Sequence, residues 1–379
     1  MSMQDAVYER YSGGARAIEP QLCCPVSYDP RYLAALPPEI LDKDYGCGDP
    51  SRYVRPGDTV LDLGSGGGKI CYIAAQIVGA GGQVTGVDMN DDMLALARKY
   101  QPHMARQLGG DRVRFLKGKI EDLALDVAAM DTWLADNPVH DTRGLAALQA
   151  WQAEQRRRTP LVPDNSVDLV ISNCVLNLVD ENEKLAVVRE IFRVLKPHGR
   201  VAISDIVADE PVPAALKTDP QLWSGCISGA LTETAFQQAF VQAGFLAVGI
   251  DTWAPAPWQV VHGIEFRALT LVAQKPSSQP CIDKGHAVIY RGPFASVTDD
   301  EGHLFPRGER MAVCERTYQL LMQGDYRMHF IGVEPLGERA GNPYCAPPGT
   351  HRPASESKRA AHLAAGQSAT CCDPGKGCY

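Results

Sequence analysis

Residues 60–69 read VLDLGSGGGK, and the fold turns on how that stretch is read. Val60, Leu61 and Leu63 form a short apolar run holding one acid, Asp62, and stopped by Gly64. Such a run suits a strand buried on both faces of a parallel sheet. Glycines 64, 66, 67 and 68 permit a tight turn and let a ligand approach the backbone. KICYIAAQIVG (69–79) then shows the apolar spacing of a helix. Strand, glycine turn and helix in that order aim a helix N-terminus at a nucleotide-like ligand. The turn is GSGGG rather than GxxxxGK[ST], so a triphosphate is not expected.

The flanking sequence repeats the alternation. QVTGVD (83–88) reads as a second strand, and MNDDMLALARKY (89–100) as a helix capped by Asn90, with Asp91 and Asp92 in its first turn. VRFLKGKIED supplies a third strand and SVDLVISN a fourth. ENEKLAVVREIFRVLKPHG predicts a long amphipathic helix ended by Pro197 and Gly199, and RVAISDIV a fifth strand. Alternating strands and helices predict an α/β fold: a mostly parallel sheet with helices on both faces. Residues 123–162 hold two helical stretches, DVAAMDTWLADN and TRGLAALQAWQAEQRRR, and read as a helical insertion rather than a loop. FQQAFVQAGF is helical, and FRALTLVAQK closes the unit as a strand. The expected division is an N-terminal segment with cysteine loops (1–56), the main domain (57–275), a small α+β region (281–335) and a disordered tail (340–379) rich in Pro, Gly, Ala and Ser.

Of the 379 residues, 45% are hydrophobic and 22% charged, which is ordinary for a globular chain, and the net charge of −8 argues against a nucleic-acid partner. The opening MSMQDAVYERYSGG has no apolar leader, and no window reaches the length of a membrane span. A cytoplasmic monomer is expected. Twelve cysteines in such a compartment call for a use other than stable disulfides.

Asp88 ends the second strand about 20 residues after the glycine turn, where an acid commonly bonds ribose hydroxyls. Glu121 or Asp122 follows the third strand, where it could reach the adenine edge. The whole stretch resembles the class I S-adenosylmethionine-dependent methyltransferases over about residues 57–207. The resemblance implies that Asp62, Gly64 and Gly66 hold the methionine part of the cofactor, Asp88 the ribose, and Met89, Ile120 and Glu121 the adenine side. Asn173, at the mouth, joins this set. DNA amino-methyltransferases carry Asn/Asp-Pro-Pro-aromatic after the fourth strand; here Ser172-Asn173-Cys174-Val175 stands there.

Ligands sit at the carboxyl ends of parallel strands, so Cys174 stands beside the expected methyl donor. Thiolates are soft ligands and select thiophilic centres such as trivalent arsenic, which keeps a lone pair able to attack a methyl group. DYGCGDPS, LGSGGGKICY, SNCVLNLV and WSGCISGA, in that order, resemble the arsenite S-adenosylmethionine methyltransferases over about residues 40–275. The resemblance implies that Cys174 and Cys226 are arsenic(III) ligands. It makes Cys71 a third ligand or a disulfide partner, and Cys47 the redox partner. Methylation formally oxidises arsenic, protein thiols reduce it again by forming a disulfide, and thioredoxin or glutathione restores the thiols. Low-pKa thiols are expected at such a site.

Each cysteine also has a plainer reading as packing or as a spare thiol. None of the four shows the paired C-x₂₋₄-C spacing of structural zinc. His103, His140 and His198 are scattered. Cys23-Cys24 and the tail cysteines Cys371, Cys372 and Cys378 are candidates for gathering arsenite, whereas Cys281, Cys314 and Cys345 are expected to be structural or incidental. Two other functions remain open: methyl transfer to a small organic acceptor, which would survive loss of Cys174 or Cys226, and a non-enzymatic thiol scavenger, which would have no need of Asp62, Gly64, Gly66 and Asp88.

Overall fold

The first strand, β1 (Thr59–Leu63), lies at the middle of the sheet, with Val60, Leu61 and Leu63 fully buried. The structure is a computed structural model describing residues 2–22, 26–335, 337, 340–344 and 346–357. It divides into two compact units, residues 1–276 and 277–379.

In the first unit, α1 (Met3–Arg16), α2 (Pro30–Leu33) and α3 (Pro38–Asp42) precede β1. Then follow α4 (Lys69–Val78), β2 (Gln83–Asp88), α5 (Asp91–Leu108), β3 (Val113–Lys117), α6 (Val127–Asp136), α7 (Thr142–Arg158), β4 (Val167–Asn173), α8 (Lys184–Val194) and β5 (Leu195–Ala208). α9 (Ala214–Lys217), α10 (Pro220–Ser224), β6 (Leu231–Thr232), α11 (Glu233–Gln242), β7 (Leu246–Trp253), β8 (Gln259–Val261) and β9 (Ile264–Gln274) complete it. The sheet runs β3-β2-β1-β4-β5-β9-β7, with β6 on β5 and β8 on β9. β1 to β5 are parallel; β9 is antiparallel to β5 and to β7. This is the mostly parallel α/β sheet that the alternation predicted and the class I methyltransferase fold that the resemblance implied.

One apolar core lies around α8, α11 and the inner strands, among them Val187, Ile191, Ile203 and Phe240. A second lies around α4 and α5, with Tyr72, Leu94 and Phe115. The strand order reverses between β1 and β4, and ligands of such sheets bind outside the carboxyl ends at that point. Gly64, Asn173 and Cys174 stand there.

The structure differs from expectation in three places. α8 ends at Val194: Pro197 pushes Lys196 out of the helical region, and Leu195 is already extended, with ψ 137°, as the chain enters β5. Residues 1–56 are not a separate segment. A Ser2–Asp5 capping box starts α1, which packs on α5 and α10 within the first unit. Residues 340–344 and 346–357, expected to be disordered, include β16 (Asn342–Pro343) on β10 (Ile282–Asp283) and a buried Arg352 paired with Asp283. The remainder of that tail, with Cys371, Cys372 and Cys378, lies outside the described residues, as do Cys23, Cys24 and Cys345.

The second unit holds β10 (Ile282–Asp283), β11 (His286–Tyr290), β12 (Ser296–Thr298), β13 (Leu304–Pro306), β14 (Arg310–Val313), α12 (Glu315–Leu321), β15 (Phe330–Val333) and β16. Its antiparallel sheet is ordered β14-β11-β15, over a core of Val288, Tyr290, Phe305, Leu321 and Phe330.

Candidate active site

A single cleft opens over the carboxyl ends of β1, β2 and β4. Asp62, Gly64, Gly66, Asp88, Met89, Ile120, Glu121, Asn173 and Cys174 all line it. The backbone of the turn explains its glycines. Gly64 has φ +68°, and a Cβ there would come within 2.5 Å of the Val175 side chain. Gly66 has φ +51°, and a Cβ there would meet nothing within 4 Å, so its backbone faces open space.

Acids are held in place by amides. Asp88 Oδ2 accepts from Gly66 N–H at 2.8 Å, and Oδ1 from Asn90 N–H at 2.8 Å. Burial nevertheless raises its pKa, against the pull of those amides. Burial pushes Asp62 up to about 7, with Cys71 S–H pulling the other way as it donates to Oδ2 at 3.2 Å. Ser65 Oγ, buried in the turn, has no hydrogen-bond partner among the described residues. An open backbone at Gly66, an orphan hydroxyl, and a row of acids along the cleft together fit S-adenosylmethionine, which offers hydroxyls, an amine and a sulfonium cation.

The thiol side is built on β4 and the loops before β1 and after α10. Cys174 and Cys226 both adopt left-handed backbone, with φ +61° and +62°, a conformation rare outside glycine and often found at functional positions. Cys174 N–H donates to Ser204 C=O at 2.8 Å, and Asp205 Oδ2 accepts from Leu176 N–H at 2.9 Å. The buried Lys184 ammonium donates to Leu176 C=O, and burial lowers its pKa to about 8. Burial lifts Asp205 to about 6. Cys226 Sγ donates to Cys174 C=O at 3.5 Å, and Tyr11 Oη lies 3.8 Å from the same sulfur. Cys47, Cys174 and Cys226 pack in one apolar nest with Ile206, Val212, Ile227 and Phe266.

Cys47 and Cys174 are joined in a disulfide. Their sulfurs and a carboxylate oxygen of Asp205 lie within 4.8 Å of one another.

Two of the expected site residues have their side chains engaged in other contacts. Cys71 is neither beside Cys174 nor in the disulfide. It stands in the first turns of α4, so its side chain runs back under the glycine turn onto Asp62, within the core of Tyr72 and Leu94. Burial, reinforced by Asp62, pushes its thiol far up, the reverse of a low-pKa thiol. Asn173 lines the cleft, yet its amide is spent on the Cys47 loop. Oδ1 accepts from Cys47 N–H at 2.9 Å and Gly48 N–H at 3.0 Å, and Nδ2 donates to Gly48 C=O at 2.8 Å.

Sequence reasoning missed the roof of the cleft. Gln4, Val7, Tyr8 and Tyr11 of α1 line it, as do Lys43, Asp44 and Lys69. Asn90 Nδ2 ties α1 down through Tyr8 C=O at 3.1 Å and Ser12 Oγ at 2.9 Å. The Ser2-x-x-Asp5 pattern was the available signal. Asp205 was missed because it sits inside an apolar strand with nothing local to mark it.

A family model described as a methyltransferase domain matches residues 55–150 and 152–244, and one described as a domain of unknown function matches residues 277–362. An arsenite methyltransferase of Aquipseudomonas alcaligenes is 32% identical over 328 residues, spanning 81% of this chain and 83% of that protein. The arsenite methyltransferase of Homo sapiens is 28% identical over 313 residues, with 79% and 73% covered. The crystal structure of an arsenic (III) S-adenosylmethionine methyltransferase from Chlamydomonas reinhardtii superposes with a TM-score of 0.53 at 26% identity, covering 85% of this chain and all of that one. A likeness of this strength running through four fifths of both sequences is family membership: the chain belongs to the arsenite methyltransferases.

Proposed function

We propose that this chain transfers a methyl group from S-adenosylmethionine to trivalent arsenic held by Cys174 and Cys226. The observation that carries the reading is the meeting of two sites at one strand end. Asn173 and Cys174 line the cofactor cleft, while Cys174 also packs against Cys226.

Asp62, Gly64 and Gly66 would hold the methionine part of the cofactor, Asp88 the ribose, and Met89, Ile120 and Glu121 the adenine side. When bound, the cofactor supplies an electrophilic methyl group on a sulfonium cation. The chain's own contribution is position: the left-handed backbone at residues 174 and 226 and the apolar nest hold the thiols at the cleft and exclude water. Arsenite loses water as each thiol gives its proton and forms an As–S bond. Arsenic held by Cys174 and Cys226 would present its lone pair to the methyl group that the cofactor supplies. No general base is required for that nucleophile.

Attack leaves arsenic two electrons more oxidised. The two arsenic-bound thiolates return those electrons as they leave arsenic and join as a Cys174–Cys226 disulfide, giving a trivalent methylated product; Cys47 thiolate then attacks the Cys174 sulfur, forming the Cys47–Cys174 disulfide and releasing Cys226 as a thiolate. The Cys47–Cys174 disulfide is an oxidised form that must be reduced before Cys174 can bind arsenic again. Thioredoxin or glutathione, available in the cytoplasm, would supply the electrons, and one chain holds every residue named. Among the described residues no helix is long and apolar enough to cross a membrane.

The test is incubation of the reduced protein with arsenite, S-adenosylmethionine and glutathione, with the arsenic species separated and counted. Methylated arsenic is the expected product. Cofactor consumption with organic acceptors and none with arsenite would refute the reading.

A further inference from the structure

Gly46, Cys47 and Gly48 cross the carboxyl ends of β4 and β5 at close range. A Cβ on Gly46 would run into the Asn173 amide, and one on Gly48 into Ser204. The glycines let the loop backbone lie directly on these two side chains, and Asn173 fastens it. Besides its three bonds to Cys47 and Gly48, Asn173 Nδ2 donates to Tyr28 Oη at 3.3 Å. Both donors and both acceptor positions of the amide are then in use. The Tyr28 hydroxyl donates to Gly48 C=O at 3.2 Å or to Asp44 Oδ2 at 3.2 Å, and Asp44 is paired with Lys69 at 2.8 Å. Lys69 lies 3.8 Å from the centre of the Tyr28 ring. The loop is thus docked by bonds that do not include its disulfide.

We propose that Asn173 is a positioning residue for the thiol chemistry. It docks the Gly46–Gly48 loop so that Cys47 stays beside Cys174 after their disulfide is reduced, which raises the effective concentration of one thiol at the other. The inference rests on the functional reading in one respect, that Cys174 cycles between thiol and disulfide.

The exchange is ordinary thiol chemistry. A glutathione thiolate attacks one sulfur of the disulfide, forming a mixed disulfide and releasing a protein thiolate that takes a proton from water. A second glutathione thiolate attacks the glutathione sulfur, leaving as glutathione disulfide and freeing the second protein thiol. In the reverse direction Cys47 thiolate expels glutathione from Cys174, at a rate set by how closely Cys47 is held. Without the dock, glutathione would stay on Cys174 longer and block it.

The experiment equilibrates the full chain with defined mixtures of reduced and oxidised glutathione. Peptide mass spectrometry then measures the Cys47–Cys174 disulfide against glutathionylated Cys174. Asn173→Ala is expected to lower the effective concentration about tenfold, the size of one or two net hydrogen bonds, and to accumulate the mixed disulfide. Asn173→Asp, which keeps the acceptor for both amides, should fall between. Gly48→Ala, which pushes the loop off Ser204 with Asn173 intact, should reproduce the shift. An unchanged equilibrium in folded Asn173→Ala overturns the proposal. Should that variant fail to fold, unchanged equilibria in both Asn173→Asp and Gly48→Ala overturn it equally. A wild-type protein that forms this disulfide normally yet yields no methylated arsenic would refute the functional reading and leave the role of Asn173 standing.

Discussion

Asp62 is a buried acid lining the cleft, proposed to hold the methionine part of the cofactor, and its burial has a measurable consequence. Raised to about 7, its carboxyl is protonated at pH 6 and ionised at pH 8. A cationic methyl donor favours the ionised form, so binding releases a proton and tightens as pH rises. Affinity measured by calorimetry should increase about tenfold from pH 6 to pH 8, following the ionised fraction. Asp62→Asn should bind more weakly and with little pH dependence. Gly64→Ala tests the turn itself: left-handed backbone and the clash with Val175 should together cost about 1–3 kcal/mol and weaken cofactor binding while the sheet survives. Asp62, Gly64, Gly66 and Asp88 were legible because the strand–turn–helix pattern is local. The meeting of Cys47, Cys174 and Cys226 came from the order of four cysteine contexts, since loops far apart in sequence leave no local trace of their contact. The place of Cys71 was not legible, because its helical position allows both a core and a site reading, and only the packing under the turn decides.

The helical insertion is the element most separable from the rest. α6 and α7 bury none of their residues; the Trp133 and Trp151 rings stack 5.6 Å apart between them, and the ties to the body are the partly exposed ion pairs Lys117–Asp131 and Arg156–Asp122. At its base, Val162 N–H donates to Leu123 C=O at 2.9 Å and Leu161 N–H to Ala124 C=O at 3.2 Å. Those paired ends can be joined by a short turn. Replacing residues 126–160 with a glycine-rich linker should leave the melting temperature within about 5 °C and cofactor binding intact, as loop changes away from a core usually do. Unfolding of that variant on thermal denaturation would show that the insertion supports the sheet. The two helices were readable as helical stretches; the structure adds their caps, Asp126 and Asp141. The end of α8 was misjudged for the opposite reason: Pro197 was taken as the stop, when its effect reaches back along the chain.

Every residue given a role in the chemistry belongs to the unit of residues 1–276. The chain ended after Pro276 should therefore fold, bind S-adenosylmethionine within about threefold of the full protein, and still methylate arsenic, as expected of a unit that carries its own core. Calorimetry and an arsenic assay on the truncated chain check this. The parallel sheet and its division into strands were legible from apolar runs and their alternation with helices, because the inner strands β1, β4 and β5 are largely buried. The N-terminal roof was not, since α1 carries Gly13 and Gly14 and only a weak apolar face. The central claim is that thiols at positions 174 and 226 hold arsenic against the methyl donor. It is tested most directly by arsenic speciation on wild type, Cys174→Ser and Cys226→Ser, with cofactor affinity measured on the same samples. The account predicts methylated arsenic from the wild type and a loss of at least about a hundredfold in either variant at unchanged cofactor affinity. Methylation at wild-type rates in Cys174→Ser would contradict it.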